Sequence, residues 1–589
     1  MILSSAVLAL FFLTPAFPQS PPAPNAPRTA AAGAHPADQS GSGNNANRDH
    51  TRLRRIEELY QKGRWTDVAQ LTIPRPGDPV SIDYYRGMAL AKLKRWAEAR
   101  QAFERGLQKA PHDKRFPTEL AGLAFLKKDY SEAKANLKQV LRLDPHDGYA
   151  INFLATIYDL EDNLDAALKY WNLIKMPFIQ SIDFEPLPQV DPVLLNHAFD
   201  FSSESLLERS ALAQTQARLR GLGIFPNPRF ELQPLINGQF DARFISSERN
   251  GWGNSTLQGL ISLLRGVPYD TAYPEFFNIH HAAMNFTSLV RWDPQKERVF
   301  ASFDSPVEES AQWRYRIYAD GRRENWNVSN TFFGSSQAVN DLQLEKVEAG
   351  AELESIVSGR FQWNTGFNFS GRTFRRAEWS DPSAASFFRN GFAFESRSGA
   401  NFQLLDFPDR RLTIQSTGQL QVGKFYARGA NAFAQTEGGL LARWFPKAQG
   451  DDYAMTVEAR AGKSWGDIPF DDLFVLGLER DNDLWLRAHV GTADGRKGSA
   501  PLGRNYVLFN WDDYKSVYHN GFFNIKLGPF LDSGKISDPS GDFGSRRWLV
   551  DTGLELKIQV LGGAAVEFFF GKDLRTGKNA FYGTTSRPQ

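Results

Sequence analysis

Nine histidines and no cysteine limit the chemistry this 589-residue chain could perform. Without thiols there are no Cys nucleophiles, Cys-type zinc sites, disulfides or lipid anchor on an N-terminal cysteine, a usage that suits an exported chain. The histidines are scattered: the adjacent pair His280-His281 has no cysteine, histidine or carboxylate at ligand spacing, and neither a Gly-x-Ser-x-Gly elbow nor a phosphate-cradling glycine loop occurs. No catalytic residue, metal ligand or cofactor is expected, and the chain is read as not an enzyme. The 68 basic and 67 acidic residues nearly cancel, so no nucleic-acid partner is expected either. What remains are isolated charges, chiefly Arg487 in Leu486-Arg487-Ala488-His489 and Asp532 in Phe530-Leu531-Asp532-Ser533-Gly534. By residue type alone these read as a solvated loop charge and a turn-capping aspartate, so their meaning depends on the elements that carry them.

The length calls for several units. Residues 1–18 read as a signal peptide, with an apolar run at Ile2-Leu3 and from Ala6 to Phe12, although the missing basic segment leaves a short membrane anchor as an alternative. No later stretch approaches the length of a spanning helix, so any membrane crossing must use strands. Residues 19–48, rich in Pro, Ala, Gly, Ser and Asn, read as a disordered leader.

Residues 51–178 repeat at a period of 34: Gly87, Ala121 and Ala155 align, as do Ala99, Ala133 and Ala167, and Phe103, Leu137 and Trp171. Pro111-His112-Asp113 and Pro145-His146-Asp147 close two copies with a helix-stopping proline. Small residues let paired helices approach, Trp96, Tyr130 and Leu164 fill the space between them, and the aromatics read as core. The period and the small, aromatic and proline positions resemble the tetratricopeptide repeat family, with an imperfect unit before them around residues 65–69. That resemblance implies an all-α solenoid with a protein-interaction surface. In residues 186–249 a helical face of Leu212, Thr215, Leu219 and Leu222 precedes two alternating segments about Asn237-Gly238, the strongest short hairpin signal. The string Ala217-Arg218-Leu219-Arg220-Gly221-Leu222-Gly223-Ile224-Phe225, with Phe230, Leu232, Phe240 and Phe244, resembles a polypeptide-transport-associated (POTRA) domain; an unrelated small α+β domain is the alternative.

From residue 251 to 583 the helical period gives way to alternation. Trp548, Val550, Thr552, Leu554, Leu556 and Ile558 share one face while Asp551, Gly553, Glu555 and Lys557 take the other; Tyr453, Met455 and Val457 oppose Thr456, Glu458 and Arg460; Trp313, Tyr315 and Ile317 oppose Arg314 and Arg316. Alternation alone does not separate a membrane barrel from a soluble β-domain. About 330 residues of strand signal, enough for roughly 16 strands at ~10 residues each plus turns, exceed an ordinary sandwich. Trp313, Trp326, Trp363, Trp444, Trp465, Trp485, Trp511 and Trp548 recur where interfacial girdles would place them. The fold class expected is therefore multidomain: a helical-repeat solenoid, a small α+β domain and a C-terminal transmembrane antiparallel β-barrel.

The two charge-bearing segments also carry a resemblance. Leu486-Arg487-Ala488-His489 is similar to the lumen-loop motif (aliphatic, Arg, Gly, aromatic) of the BamA and two-partner-secretion transporter superfamily, with Ala488 for the glycine and His489 for the aromatic residue. Phe530-Leu531-Asp532-Ser533-Gly534 resembles that superfamily's Phe-x-Asp-x-Gly strand. The resemblance implies that Arg487 on a loop inside the barrel pairs with Asp532 on the wall, since a guanidinium in a partly desolvated lumen needs a bidentate carboxylate. Asp551-Thr552-Gly553 and Gly562-Gly563 fall where its penultimate strands lie, whereas Phe581-Tyr582 followed by residues 583–589 departs from its terminal aromatic residue. The function implied is insertion or translocation of polypeptide or another polymer at the bacterial outer membrane. Outer-membrane lipid and a periplasmic client or partner protein are the expected partners, with strand augmentation at an exposed edge near residues 240–246. A passive porin, or a membrane-anchored scaffold whose repeats recruit a partner, is the alternative.

Overall fold

The computed structural model describes residues 43–328, 342–375, 387–539, 543–545, 547–561 and 564–586. The signal peptide, most of the leader and Gly562-Gly563 lie outside the described residues. The chain divides into two compact units, one running to Tyr158 with residues 234–238, the other made of the remainder.

The first unit is helical: α1 (Gly43–Gln61), α2 (Trp65–Leu71), α3 (Val80–Lys92), α4 (Trp96–Lys109), α5 (Arg115–Leu126), α6 (Tyr130–Leu143) and most of α7 (Gly148–Leu160). The leader thus ends earlier than residue 48. Ile56 and Leu59 of α1 are buried in the repeat core, and a nucleated helix extends backward at one hydrogen bond per added residue. The repeat alignment states how the helices pack. Ala99, Phe103, Ala121, Ala133 and Ala155 are all fully buried. At Gly87 a β-carbon would stand 2.3 Å from the Phe103 ring, so only glycine lets α3 and α4 approach this closely. The prolines follow α4 and α6 without interrupting them.

The second unit opens with α8 (Leu164–Trp171), which buries Ala167 and Trp171. Strand β1 (Phe178–Glu185) follows directly, so the α+β domain starts before the expected residue 186, inside the end of the repeat segment. Its other elements are α9 (Pro192–Ala198), β2 (Ser205–Leu206), α10 (Arg209–Gly221), β3 (Arg229–Pro234) and β4 (Phe240–Ile245). The sheet order is β2-β1-β4-β3, with β1 parallel to β4. Phe240, Ala242 and Phe244 point into a core where the Phe244 ring lies 5.2–6.0 Å from Phe184, Phe199, Phe225 and Phe230. This overturns the expected docking edge near residues 240–246: β4 is hydrogen-bonded into the sheet interior, and the edges are β2 and β3.

The barrel begins with an element the alternation pattern missed, the helix α11 (Thr256–Leu264). Ser255 caps it by accepting from the Gln258 N–H at 3.2 Å, and leucines at helical spacing continue it. Next come β5 (Thr271–Ala272), β6 (Glu275–Ile279), β7 (Met284–Asp293), β8 (Lys296–Val307), β9 (Ser310–Trp326), β10 (Leu342–Ser358), β11 (Phe361–Arg375), β12 (Gly391–Phe407), β13 (Leu412–Tyr426), β14 (Ala432–Trp444) and β15 (Tyr453–Gly466). An inserted loop, residues 467–504, carries the short strands β16 (Phe474–Val475), β17 (Thr492–Ala493), β18 (Arg496–Lys497) and β19 (Leu502–Gly503). The wall resumes with β20 (Asn505–His519), β21 (Phe523–Ser537), β22 (Leu549–Val560), β23 (Ala564–Asp573) and β24 (Asn579–Ser586).

These strands curl antiparallel into a barrel of 18 strand segments. Two of them, β5 and β6, pair with successive parts of β7 as one interrupted strand, and β17–β18 belongs to the loop, which brings the wall close to the sixteen strands expected. Burial is inverted relative to a soluble domain. Val347, Phe367, Phe369, Phe394, Leu440, Leu554 and Phe570 are exposed, while Arg314, Asp320, Lys346, Glu348, Arg372, Asp551 and Glu555 are buried. Apolar outside and charged inside is the arrangement of a membrane-spanning barrel, and no water-soluble sandwich adopts it. Trp444, Trp465 and Trp548 are exposed on the outer surface; Trp326 and Trp485 depart from the girdle reading, the first buried under the inserted loop, the second packed 5.4 Å from Phe569.

Candidate functional site: a loop locked in the lumen

Strand β15 pairs directly with β20, Tyr453 opposite Lys515, so residues 467–504 leave and rejoin the wall at neighbouring strands. The loop turns into the lumen because its charges find partners there. Asp472 accepts from Lys346 on β10 at 2.9 Å and from Arg372 on β11 at 3.1 Å, and Asp471 lies in ion-pair range of the same two cations at 2.9 and 3.0 Å. Asp481 accepts from Arg291 on β7 and Arg298 on β8, at 2.7 and 2.8 Å. Lys497 reaches Glu324 on β9 at 2.8 Å, and Asp483 meets Arg460 on β15 at 2.8 Å. The loop is therefore tied to one wall strand after another. None of these residues was read as a site residue from the sequence, where an inward charge on a strand, Arg460 among them, looks like any polar residue facing water; the crowding of acids at Asp471-Asp472 and Asp481-Asn482-Asp483 was the available signal.

Arg487 and Asp532 are brought together. Arg487 is 2% exposed and Asp532 0%. The guanidinium donates to Asp532 through Nη2 at 2.6 Å and Nε at 3.0 Å, and the Arg487 backbone N–H donates to the same carboxylate at 2.9 Å. Nη1 donates to Glu555 at 3.1 Å and to Asp512, and the guanidinium stacks 4.0 Å above the Phe530 ring. Asn510 bridges Asp532 and the Trp485 carbonyl at 2.7 and 2.8 Å. Three carboxylates around one cation fix its place more firmly than a single pair, and removing the cation would strand all of them.

The next two residues dock as well. Ala488 N–H and His489 Nδ1 both lie within hydrogen-bonding distance of Asp551, at 2.7 and 2.9 Å. The wall approaches the loop closely here: a β-carbon at Gly571 on β23 would sit 2.7 Å from the Arg487 carbonyl oxygen. In the strand register Asp532, Asp551 and Asp573 are direct cross-strand neighbours on β21, β22 and β23. The loop tripeptide thus lies along a row of three aspartates.

On the opposite side from the long loops, α8 and the α+β domain hold the barrel turns. Lys169 reaches Asp409 at 2.6 Å, Asn163 donates to the Pro408 carbonyl at 2.9 Å, and Arg209 pairs with Asp406. Turns on that side are mostly short, whereas the opposite end carries the longest connections, the asymmetry usual in membrane-spanning barrels.

Fold and site together define a membrane-spanning β-barrel with a charge-locked loop in its lumen, preceded by a small α+β domain and a helical-repeat segment. A tetratricopeptide repeat model matches residues 84–113. Among solved structures the chain is similar to BamA from Haemophilus ducreyi lacking POTRA domains 1–3, at 13% identity and a TM-score of 0.40, covering 70% of this chain and 85% of that one. It is also similar to CdiB from Escherichia coli, at 12% identity and TM-score 0.44, covering 70% and 76%, and to CdiB from Acinetobacter baumannii, at 12% and 0.40, covering 70% and 73%. No curated protein matches.

Proposed function

We propose that this protein is a bacterial outer-membrane barrel that inserts or translocates polypeptide, with the repeats and the α+β domain, read as POTRA-like, forming a periplasmic arm that receives the client. The observation that carries the reading is the lumen loop pinned by Arg487 to Asp532, Asp512 and Glu555. A barrel that works on a polypeptide needs a plug held by bonds that can be exchanged, and a ring of ion pairs from the loop to successive strands supplies one. The apolar outer belt faces lipid, and the unpaired edges of the α+β sheet, β2 and β3, are the places where a client strand could add by main-chain hydrogen bonding.

The reading is tested with full-length protein in liposomes offered a urea-unfolded eight-stranded outer-membrane protein. Acquisition of protease resistance by the client several-fold faster than in empty liposomes is the expected result. Equal rates in both, together with steady ion flux through the wild-type barrel, would replace it with the porin reading.

A further inference from the structure

Loop and wall meet a second time two residues beyond Arg487. His489 stands between Asp551 on β22 and Asp573 on β23, with Nδ1 2.9 Å from an Asp551 oxygen and Nε2 3.8 Å from an Asp573 oxygen. The two aspartates pair directly across the strands, and Asp532 on β21 continues the row. Like charges so placed repel one another unless a cation lies among them. Arg487 is committed to Asp532, Asp512 and Glu555. On the Asp573 side, Lys572 takes the exposed face of β23 and Arg575 is exposed and donates to the Trp548 carbonyl. The imidazole is therefore the group placed to supply the missing charge.

Hydrogen-bonding capacity leads to the same protonation state. The Ala488 N–H donates at 2.7 Å to the Asp551 oxygen that Nδ1 meets, so that oxygen acts as an acceptor and Nδ1 must carry hydrogen. A neutral ring would then turn the lone pair of Nε2 toward the Asp573 carboxylate, whereas the doubly protonated ring presents an N–H to each aspartate. Asp573 is itself steadied by the Arg575 N–H and the Thr576 hydroxyl, at 2.8 and 2.5 Å. We propose that His489 is a proton-operated latch: as an imidazolium it ties the lumen loop to Asp551 and Asp573, and loss of its proton releases that tie while Arg487 stays bound. Burial opposes charging the ring, and the hydrogen bond to Asp551 with the charges of Asp551, Asp573 and Asp532 outweighs it, so docked His489 titrates above the ordinary histidine value of 6.5. An undocked loop puts the ring in water, at that ordinary value. Docking then takes up a proton. Its contribution is fully present below about pH 6.5 and is lost as pH rises through the docked value, by up to about tenfold in the docking equilibrium per pH unit within that window.

Hydrogen exchange of the full-length protein in detergent, read by mass spectrometry over residues 484–491 and corrected for the intrinsic pH dependence of exchange, tests this across pH 6.0–8.5 beside His489→Gln. Wild type is expected to lose about threefold or more of its protection over that range, and His489→Gln to show the lower protection throughout. Equal protection of the wild type at both ends of the range overturns the proposal, as does a His489→Gln variant that keeps the wild-type dependence. Asp573→Asn carries the comparison if heat-modifiable mobility shows that His489→Gln does not fold. With the carboxylate beside Nε2 gone, the loss of protection should move to lower pH, and an unmoved profile contradicts the latch. No client enters the measurement, so its outcome is separate from that of the client-insertion assay.

Discussion

Arg487 is answered by three carboxylates, and that number decides how it can be probed. Reversing both charges, Arg487→Glu with Asp532→Arg, would leave a glutamate at 487 facing Asp512 and Glu555, so the double swap is not expected to restore the loop. Arg487→Gln is cleaner: it should cost about 3–5 kcal/mol of loop docking, the usual penalty for removing one partner of a buried ion pair, read as a lower temperature for loss of the folded gel band. Arg487→Lys should recover only part of this, because an ammonium cannot bind a carboxylate through two parallel donors. Gly571→Val should loosen the same loop without touching a charge, since its side chain would push on the Arg487 carbonyl; protease cleavage within residues 467–504 of the intact barrel would reveal it. Arg487 and Asp532 were legible because each sits in a motif with spacing of its own. Asp512 and Glu555 were not, because nothing in a strand's local sequence says which distant loop will come to face it.

Among the elements, the repeats were the most legible, since a period of 34 is recorded in the residues themselves and Gly87 and Phe103 turned out to be the two sides of one contact. Gly87→Val should therefore drive α3 and α4 apart and destabilise the repeats by about 1–3 kcal/mol, measurable by urea unfolding of the helical signal. Burial raises the Glu119 carboxyl on α5 to about 7, opposed by a weaker contact from the Tyr84 hydroxyl. The folded state then holds this proton more tightly than the unfolded chain, so the repeats lose stability as pH rises from about 4.5 through 7. Glu119→Gln should remove that loss, giving slower hydrogen exchange in α5 than wild type at pH 8 and no difference at pH 4; identical exchange at both values would contradict the assignment. Helix α11 and the interior position of β4 were less legible. A nine-residue helix is short enough to hide within an alternating stretch, and strand order in a sheet depends on partners far along the chain.

For the whole molecule, alternation showed that one face of each strand is apolar but not which way it points, and the structure resolves this by putting charge inside and Phe, Leu and Val outside. The outward face is then open to a direct check. Phe369 lies midway along β11 and is exposed, so Phe369→Arg should cost about 2–4 kcal/mol in lipid, seen as a lower urea midpoint in vesicles, while the same change on a water-exposed surface would cost little. The central claim is that the lumen is closed by a loop held at Arg487. The measurement that tests it most directly is single-channel conductance of the full-length protein in planar bilayers, wild type beside Arg487→Gln. The wild type is expected to be closed most of the time and the variant to flicker into large open states. A steady, wide conductance in the wild type, unchanged by Arg487→Gln, would contradict it.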